Sequence, residues 1–282
     1  MEFLRSIFNG PIQKPKEPTT EEAKKIESTR RDSPEETKAL REETQAETLL
    51  RLRDKISLRK FKGGGANATF AVTLKDDGLG IFKPKSGENK NLRDNVQAGT
   101  YFKRARAAYL VDKCLGFGIV PPVSIREIDG EIGSIQQFIE NASTYTELSF
   151  ADRGELRSTH YDQLIALWLF DIIIFNSDRS PRNLLVSKNG IHAIDNDLSF
   201  GNDSLRHQIG YYYNAKIPSH LIQKLERFTS SETRKQSLRA LLLELLPEKE
   251  VNACISRIER VARLVQAGTI TKQLKDILTQ YE

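Results

Sequence analysis

Cysteine is nearly missing from this chain of 282 residues: the two present, Cys114 and Cys254, cannot build a disulfide framework or a zinc cluster, and both sit in apolar helical sequence as core residues. Histidine is also scarce. The four, His160, His192, His207 and His220, have none of the spacings of metal ligands. No apolar run is long enough to cross a bilayer, since the longest, residues 164–175, is interrupted by Asp171 and a span needs about 20 residues. The first nine residues hold Phe3, Leu4, Ile7 and Phe8 but not the longer apolar core or small-residue cleavage site of a secretory signal. These absences point to a cytoplasmic protein, with a short amphipathic anchor as the alternative. A basic stripe interleaved with aromatics is missing too. The formal charge is +5 and the pI about 9.1, but acids lie between the bases throughout, so no specific nucleic-acid partner is expected.

What is present is enough apolar sequence, 38% of residues, for one large domain or two lobes with real cores. Residues 1–47 read as a mobile charged tail, poor in large apolar side chains, which is a candidate for binding a partner. A capped helix starting at Ser33-Pro34-Glu35-Glu36 could run toward Lys55. Residues 48–141 then read as a β-rich lobe. Phe70, Val72 and Leu74 alternate with Ala71 and Thr73, and Asp76-Asp77-Gly78 turns the chain into Leu79-Gly80-Ile81-Phe82-Lys83. A helix is expected over 97–115, closed by Gly116, followed by a second hairpin around Asp129-Gly130. Residues 142–282 read as mostly helical: one long helix over 156–175, short strands at 184–186 and 191–194, and helices over 219–228, 231–246, 248–267 and 271–281.

Chemistry concentrates in Asn176-Ser177-Asp178-Arg179-Ser180-Pro181-Arg182-Asn183, followed by an apolar hairpin and Asp195. Phosphoryl transfer needs a carboxylate to orient the acceptor hydroxyl, and an amide oxygen and second carboxylate to hold a divalent cation against the triphosphate. Asp178, Asn183 and Asp195 match those parts. The step from Asp178 to Asn183 equals that between Asp and Asn in the protein-kinase catalytic loop, and the hairpin returns the chain to the metal as the Asp-Phe-Gly strand does there. Here Asp195 is followed by Asn196 and Asp197, which sets the chain apart from ordinary protein kinases. The other reading of this stretch is a polar loop capping a buried helix. A second cluster is Gly63-Gly64-Gly65-Ala66-Asn67-Ala68-Thr69, ahead of Lys83. Glycines admit backbone N–H groups close to phosphate oxygens, and a lysine on a packed strand supplies a compact positive charge.

Gly-Gly-Gly-x-Asn, Ile-Phe-Lys-Pro-Lys-Ser-Gly-Glu, Ala-Ala-Tyr-Leu-Val-Asp-Lys-Cys-Leu-Gly-Phe-Gly-Ile-Val-Pro-Pro, Gly-Ser-Ile-Gln-Gln-Phe-Ile, Asn-Ser-Asp-Arg-x-x-x-Asn and Ala-Ile-Asp-Asn occur in that order between Gly63 and Gly201. Together they resemble the bacterial branch of the phosphatidylinositol 3-/4-kinase-like superfamily, with more distant similarity to Fam20-type and persister-toxin kinases. The resemblance implies an α+β, bilobal kinase-like fold with a β-rich N-lobe and a mostly helical C-lobe, binding ATP and Mg²⁺, or Mn²⁺ in its place. It assigns Lys83 and Gly63, Gly64, Gly65 and Asn67 to the phosphates, Asp178 to catalysis, Asn183 and Asp195 to the metal, and Gln137 and Ile139, within a hinge over 136–140, to adenine.

One position departs from the family. Its first helix usually reads Arg-Glu-x-Ala-Ala-Tyr, the glutamate pairing with the phosphate-binding lysine, whereas this chain has Arg104-Ala105-Arg106-Ala107-Ala108-Tyr109. Either Glu88 or another acid substitutes, or activity is weak, or Ala105 is an introduced change; if the partner is missing, Ala105→Glu should raise ATP turnover. The leading expectation is γ-phosphoryl transfer to a hydroxyl, on protein Ser/Thr ahead of a phosphoinositide because the chain is shorter than multidomain lipid kinases. The alternatives are a pseudokinase using ATP as a conformational ligand, and AMP transfer from the same site.

Overall fold

The computed structural model describes residue 38 and residues 41–61, 66–90, 92–93, 96–176, 178–201 and 215–269. Most of the expected tail, the helix start at Ser33 and the expected helix over 271–281 lie outside the described residues. Helix α1 covers Gln45–Leu52, with Thr44 and Glu47 forming a reciprocal capping box. It stops at Leu52 instead of running on to Lys55, because Lys55–Lys60 is strand β1, paired antiparallel with Phe70–Leu74 (β2). Hydrogen bonds to a neighbouring strand, invisible to local periodicity, outcompete the helix there.

Asp76 and Asp77 turn β2 into Gly78–Pro84 (β3) with φ of 55° and 57°, the left-handed pair that a tight hairpin turn needs. After helix α2, Tyr101–Leu115, which Gly116 ends at φ 72°, come Val123–Ile128 (β4) and Glu131–Gln137 (β5). The five strands order as β1-β2-β3-β5-β4, so Lys83 stands on the central strand, opposite Ser134. Gly133 lets the two strands close up: a Cβ there would lie 2.3 Å from Lys83 O and 2.8 Å from Pro84 Cα. Leu50, Val72, Leu74, Phe82, Ile128 and Ile135 fill a small core between the sheet and α1.

Past the two-residue strand β6, Ser143–Thr144, the expected long helix is two: α3, Phe150–Thr159, and α4, Tyr161–Ile173. His160, at φ −123° and ψ 26°, ends one and begins the other. The two halves face different surroundings, since of α3 only Leu156 is buried whereas Leu164 to Ile173 are buried without a break. Strands β7, Leu184–Ser187, and β8, Gly190–Ala193, follow, then helices α5, Ser219–Ser230, α6, Glu232–Leu243, and α7, Glu248–Leu264. Their apolar faces close on α4 and α2 in one large core. The result is an α+β fold, with a β-sheet N-terminal part and a helical C-terminal part. Among the described residues no helix is long and apolar enough to cross a membrane.

Candidate active site

Strand β3 and the segment after β8 bring the two halves of the chain together. Lys83 Nζ from β3 donates to Asp195 Oδ1 and, at 3.0 Å, to Asp197 Oδ2. Asp195 sits at φ 61°, a left-handed turn that lets two carboxylates only two residues apart reach one ammonium. The Lys83 side chain is 22% exposed and that of Asp197 6%, so solvent screens this contact little. Asn67, just past the glycine run, accepts from Asn89 N at 2.8 Å and extends its amide nitrogen to Asp197 Oδ2 at 3.5 Å. Gly63, Gly64 and Gly65 lie outside the described residues. Gln137, at the end of β5, spends its backbone N–H on Pro122 O at 2.9 Å, and Ile139 follows half-buried.

The loop leaving α4 is organised by one guanidinium. Arg179 grips Asp171 of α4 with Nε at 3.0 Å from Oδ2 and 3.3 Å from Oδ1, and a terminal nitrogen at 2.9 Å from Oδ1. It also donates to Asn183 O at 3.0 Å, to Ile194 O at 2.8 Å and to Asn196 Oδ1. One planar fork therefore joins the loop carrying Asp178 to both segments carrying Asn183 and Asp195. Ile194 N donates to Asn183 O at 3.1 Å, completing the pairing. Asn183 Nδ2 donates to Asp178 O at 3.0 Å, which turns its amide oxygen the other way. Asn176 holds Asp178 N at 2.9 Å. Phe175, at φ 54°, is fully buried with the guanidinium carbons of Arg93 and Arg257 5.6 and 5.2 Å from its ring centroid.

The charges follow this geometry. Burial works against the Lys83 ammonium, but Asp195 and Asp197 reverse this and raise its pKa. Lys83 in turn holds Asp195 below the usual carboxylate range, while burial pushes Asp197 up against the pull of Lys83. Asp178 lies at the exposed edge of the cluster. Partial burial of its carboxyl and the nearby Asp195 charge push it up, which makes it a better proton acceptor than a free aspartate. Burial also raises Asp171, with Arg179 opposing.

Asp178, Asn183, Asp195 and Lys83 are thus gathered by direct or one-residue-removed contacts. Among the described residues no group of three or more His, Cys, Asp or Glu side chains could hold a metal by itself. An amide oxygen and one carboxylate suit Mg²⁺ or Mn²⁺ only where substrate phosphates complete the shell, which is how Mg²⁺ is usually bound. Glu88, one suggested partner for Lys83, is used elsewhere: it accepts from Tyr101 N at 3.1 Å and Phe102 N at 2.9 Å, capping α2. Sequence reasoning did not give Asp197, Arg179, Asp171, Asn176 or Asn196 a role. The visible signal for Asp197 was an acid where the Asp-Phe-Gly pattern has glycine.

The model of the family described as phosphatidylinositol 3- and 4-kinase matches residues 89–257. No curated protein sequence matches the chain significantly. Among solved structures, a Golgi casein kinase with Mn and ADP bound is similar, with 16% identity and a TM-score of 0.53 over 82% of this chain and 76% of that one. The Fam20 protein of hydra, solved with sugar, is 17% identical with a TM-score of 0.50, over 88% of this chain and 90% of that one. At such identities the likeness speaks for the fold, and it is the family match, covering more than half of the chain, that decides membership. The chain belongs to the phosphatidylinositol 3- and 4-kinase family of phosphotransferases.

Proposed function

We propose that this protein transfers the γ-phosphoryl group of ATP to a hydroxyl, on a protein serine or threonine ahead of a phosphoinositide. The observation that carries this is the meeting of Lys83 from the sheet with Asp195 from the helical part, beside a loop that offers Asp178 and Asn183. Asp178 orients the acceptor hydroxyl and takes its proton, Lys83 binds the phosphates, and the backbone of Gly63, Gly64 and Gly65 with Asn67 covers them. Asn183 and Asp195 would hold Mg²⁺ or Mn²⁺, which supplies charge neutralisation at the phosphates. Since the Gln137 N–H is already spent on Pro122, the Ile139 backbone is the better hinge contact for adenine. We divide the chain into a tail, an N-lobe reaching residue 141 and a C-lobe over 142–282, and the left-handed turn at Asn141, φ 54°, supports a boundary there. Because α1 begins at Gln45 with Glu47 buried, we start the lobe slightly before residue 48.

The test is label transfer from γ-labelled ATP, with Mg²⁺ or Mn²⁺, to protein acceptors and to phosphoinositide vesicles. Asp178→Ala should abolish transfer while ATP binding persists; retained transfer removes the assignment. Label from the α position in the product would mean AMP transfer instead. Ala105 by itself would suit a binding module without transfer, and a carboxylate of Asp197 at 3.0 Å from Lys83 favours transfer over it.

A further inference from the structure

We propose that Asp197 is the positioning residue for Lys83, in the role that a helix glutamate plays in relatives; this deepens the phosphotransfer reading and rests on it. A phosphate-binding lysine is a flexible stem with a mobile charge, and an anion beside it selects the rotamer that meets the nucleotide. Among the described residues, the ion-pair partners of Lys83 are Asp195 and Asp197. Asp195 is the carboxylate for the metal, so Asp197 is the one left to hold Lys83 once a nucleotide and its cation are bound. Its side chain is 6% exposed, and the Asn67 amide nitrogen stands 3.5 Å from the same Oδ2.

The place a helix glutamate would occupy is still there. Ala105 on α2 lines a pocket whose other walls include Lys83, Ser134, Asp195 and Asp197. A longer acidic side chain at 105 would therefore point into the pocket that Lys83 also lines. Helix α2, freed of the lysine, is fastened to other groups. Arg104, 2% exposed, grips Glu250 of α7 with bonds of 2.8 and 2.9 Å and donates to Ser199 O at 2.7 Å. On its other side Glu47 of α1 pairs with Arg106 at 2.6 Å and Lys113 at 2.8 Å. The counter-ion has moved from the helix to the metal-binding segment, so Lys83 stays paired without depending on how α2 is set.

The experiment compares Asp197→Asn, Ala105→Glu and the double variant by calorimetric binding of ATP without metal and of ADP with Mn²⁺, alongside turnover and thermal melting. Asp197→Asn is expected to weaken metal-free ATP binding about tenfold, with KM for ATP rising more than kcat falls. The double variant should recover most of that loss, because a glutamate at 105 restores an anion beside Lys83. Ala105→Glu alone should bring no gain, since Lys83 already has its partner. The proposal is overturned if Asp197→Asn leaves ATP binding unchanged, if the double variant shows no recovery, or if Ala105→Glu alone tightens binding. It also falls if the loss appears only with Mn²⁺, which would make Asp197 a metal ligand. Should Asp197→Asn melt below the assay temperature, Asp197→Ser with and without Ala105→Glu gives the same comparison. Binding is read independently of transfer, so a wild type that binds ATP but moves no label would defeat the phosphotransfer reading and leave this comparison decisive.

Discussion

Asp171→Asn should cripple this protein although Asp171 touches no substrate. The side chains of Asp171 and Arg179 are 9% and 5% exposed, so the variant takes from a buried guanidinium the carboxylate that it grips. Removing one partner of a buried pair typically costs about 3–5 kcal/mol, and for a domain of this size each kcal/mol lowers Tm by about 2–4 °C. A drop of about 6–20 °C follows from those two ranges. The damage is directed as well as general, because the same guanidinium holds Asn183 O and Ile194 O at 3.0 and 2.8 Å. Turnover measured well below the new Tm should therefore still fall by about tenfold or more, since small misplacements of catalytic groups are costly. Arg179→Lys keeps the charge but loses the fork, and should spare more stability than activity. Scanning calorimetry and label transfer on the same preparations check both. An Asp171→Asn protein melting within about 2 °C of wild type, with full turnover, would falsify the reasoning.

Other consequences follow from the same geometry. Burial alone would raise the Glu47 carboxyl, but Lys113, the Thr44 N–H and Arg106 hold it at about 2 against an ordinary 4.5. The folded state thus stays ionised where the unfolded chain takes up a proton, so this stabilisation is complete above pH 4.5 and is lost as pH falls through about 2. Urea titrations should show Glu47→Gln flattening the acid limb, by up to about 3 kcal/mol. Gly133→Ala should cost about 1–3 kcal/mol by overpacking and weaken ATP binding, because the new methyl meets Lys83 O and Pro84 Cα; unchanged melting and affinity would contradict the close approach. Arg104→Ala strips Glu250 and Ser199 O of their donor and should lower stability by about 3 kcal/mol, read by chemical denaturation, with partial recovery in Arg104→Lys.

Local patterns in the sequence carried the hairpins, since alternation in 70–74 and the two aspartates before Gly78 are properties of neighbours, and the observed turn uses those aspartates at positive φ. The same holds for the end of α2 at Gly116. The motif spacing pointed to Asp178, Asn183 and Asp195, because a loop bracketed by apolar runs has few ways to return. What local pattern could not supply was the partner of each charge. Whether Glu88 meets Lys83 or caps α2, and whether Arg179 faces solvent or braces three segments, depends on residues distant in the chain. The break at His160 and strand β1 were hidden for the same reason: helix and strand there are chosen by burial and by a neighbouring strand. Side-chain type and spacing are written in one dimension, whereas the counter-ion of Lys83 and the desolvation of Asp197 exist only once the sheet and the helices have met, and that meeting was decided by the tertiary structure.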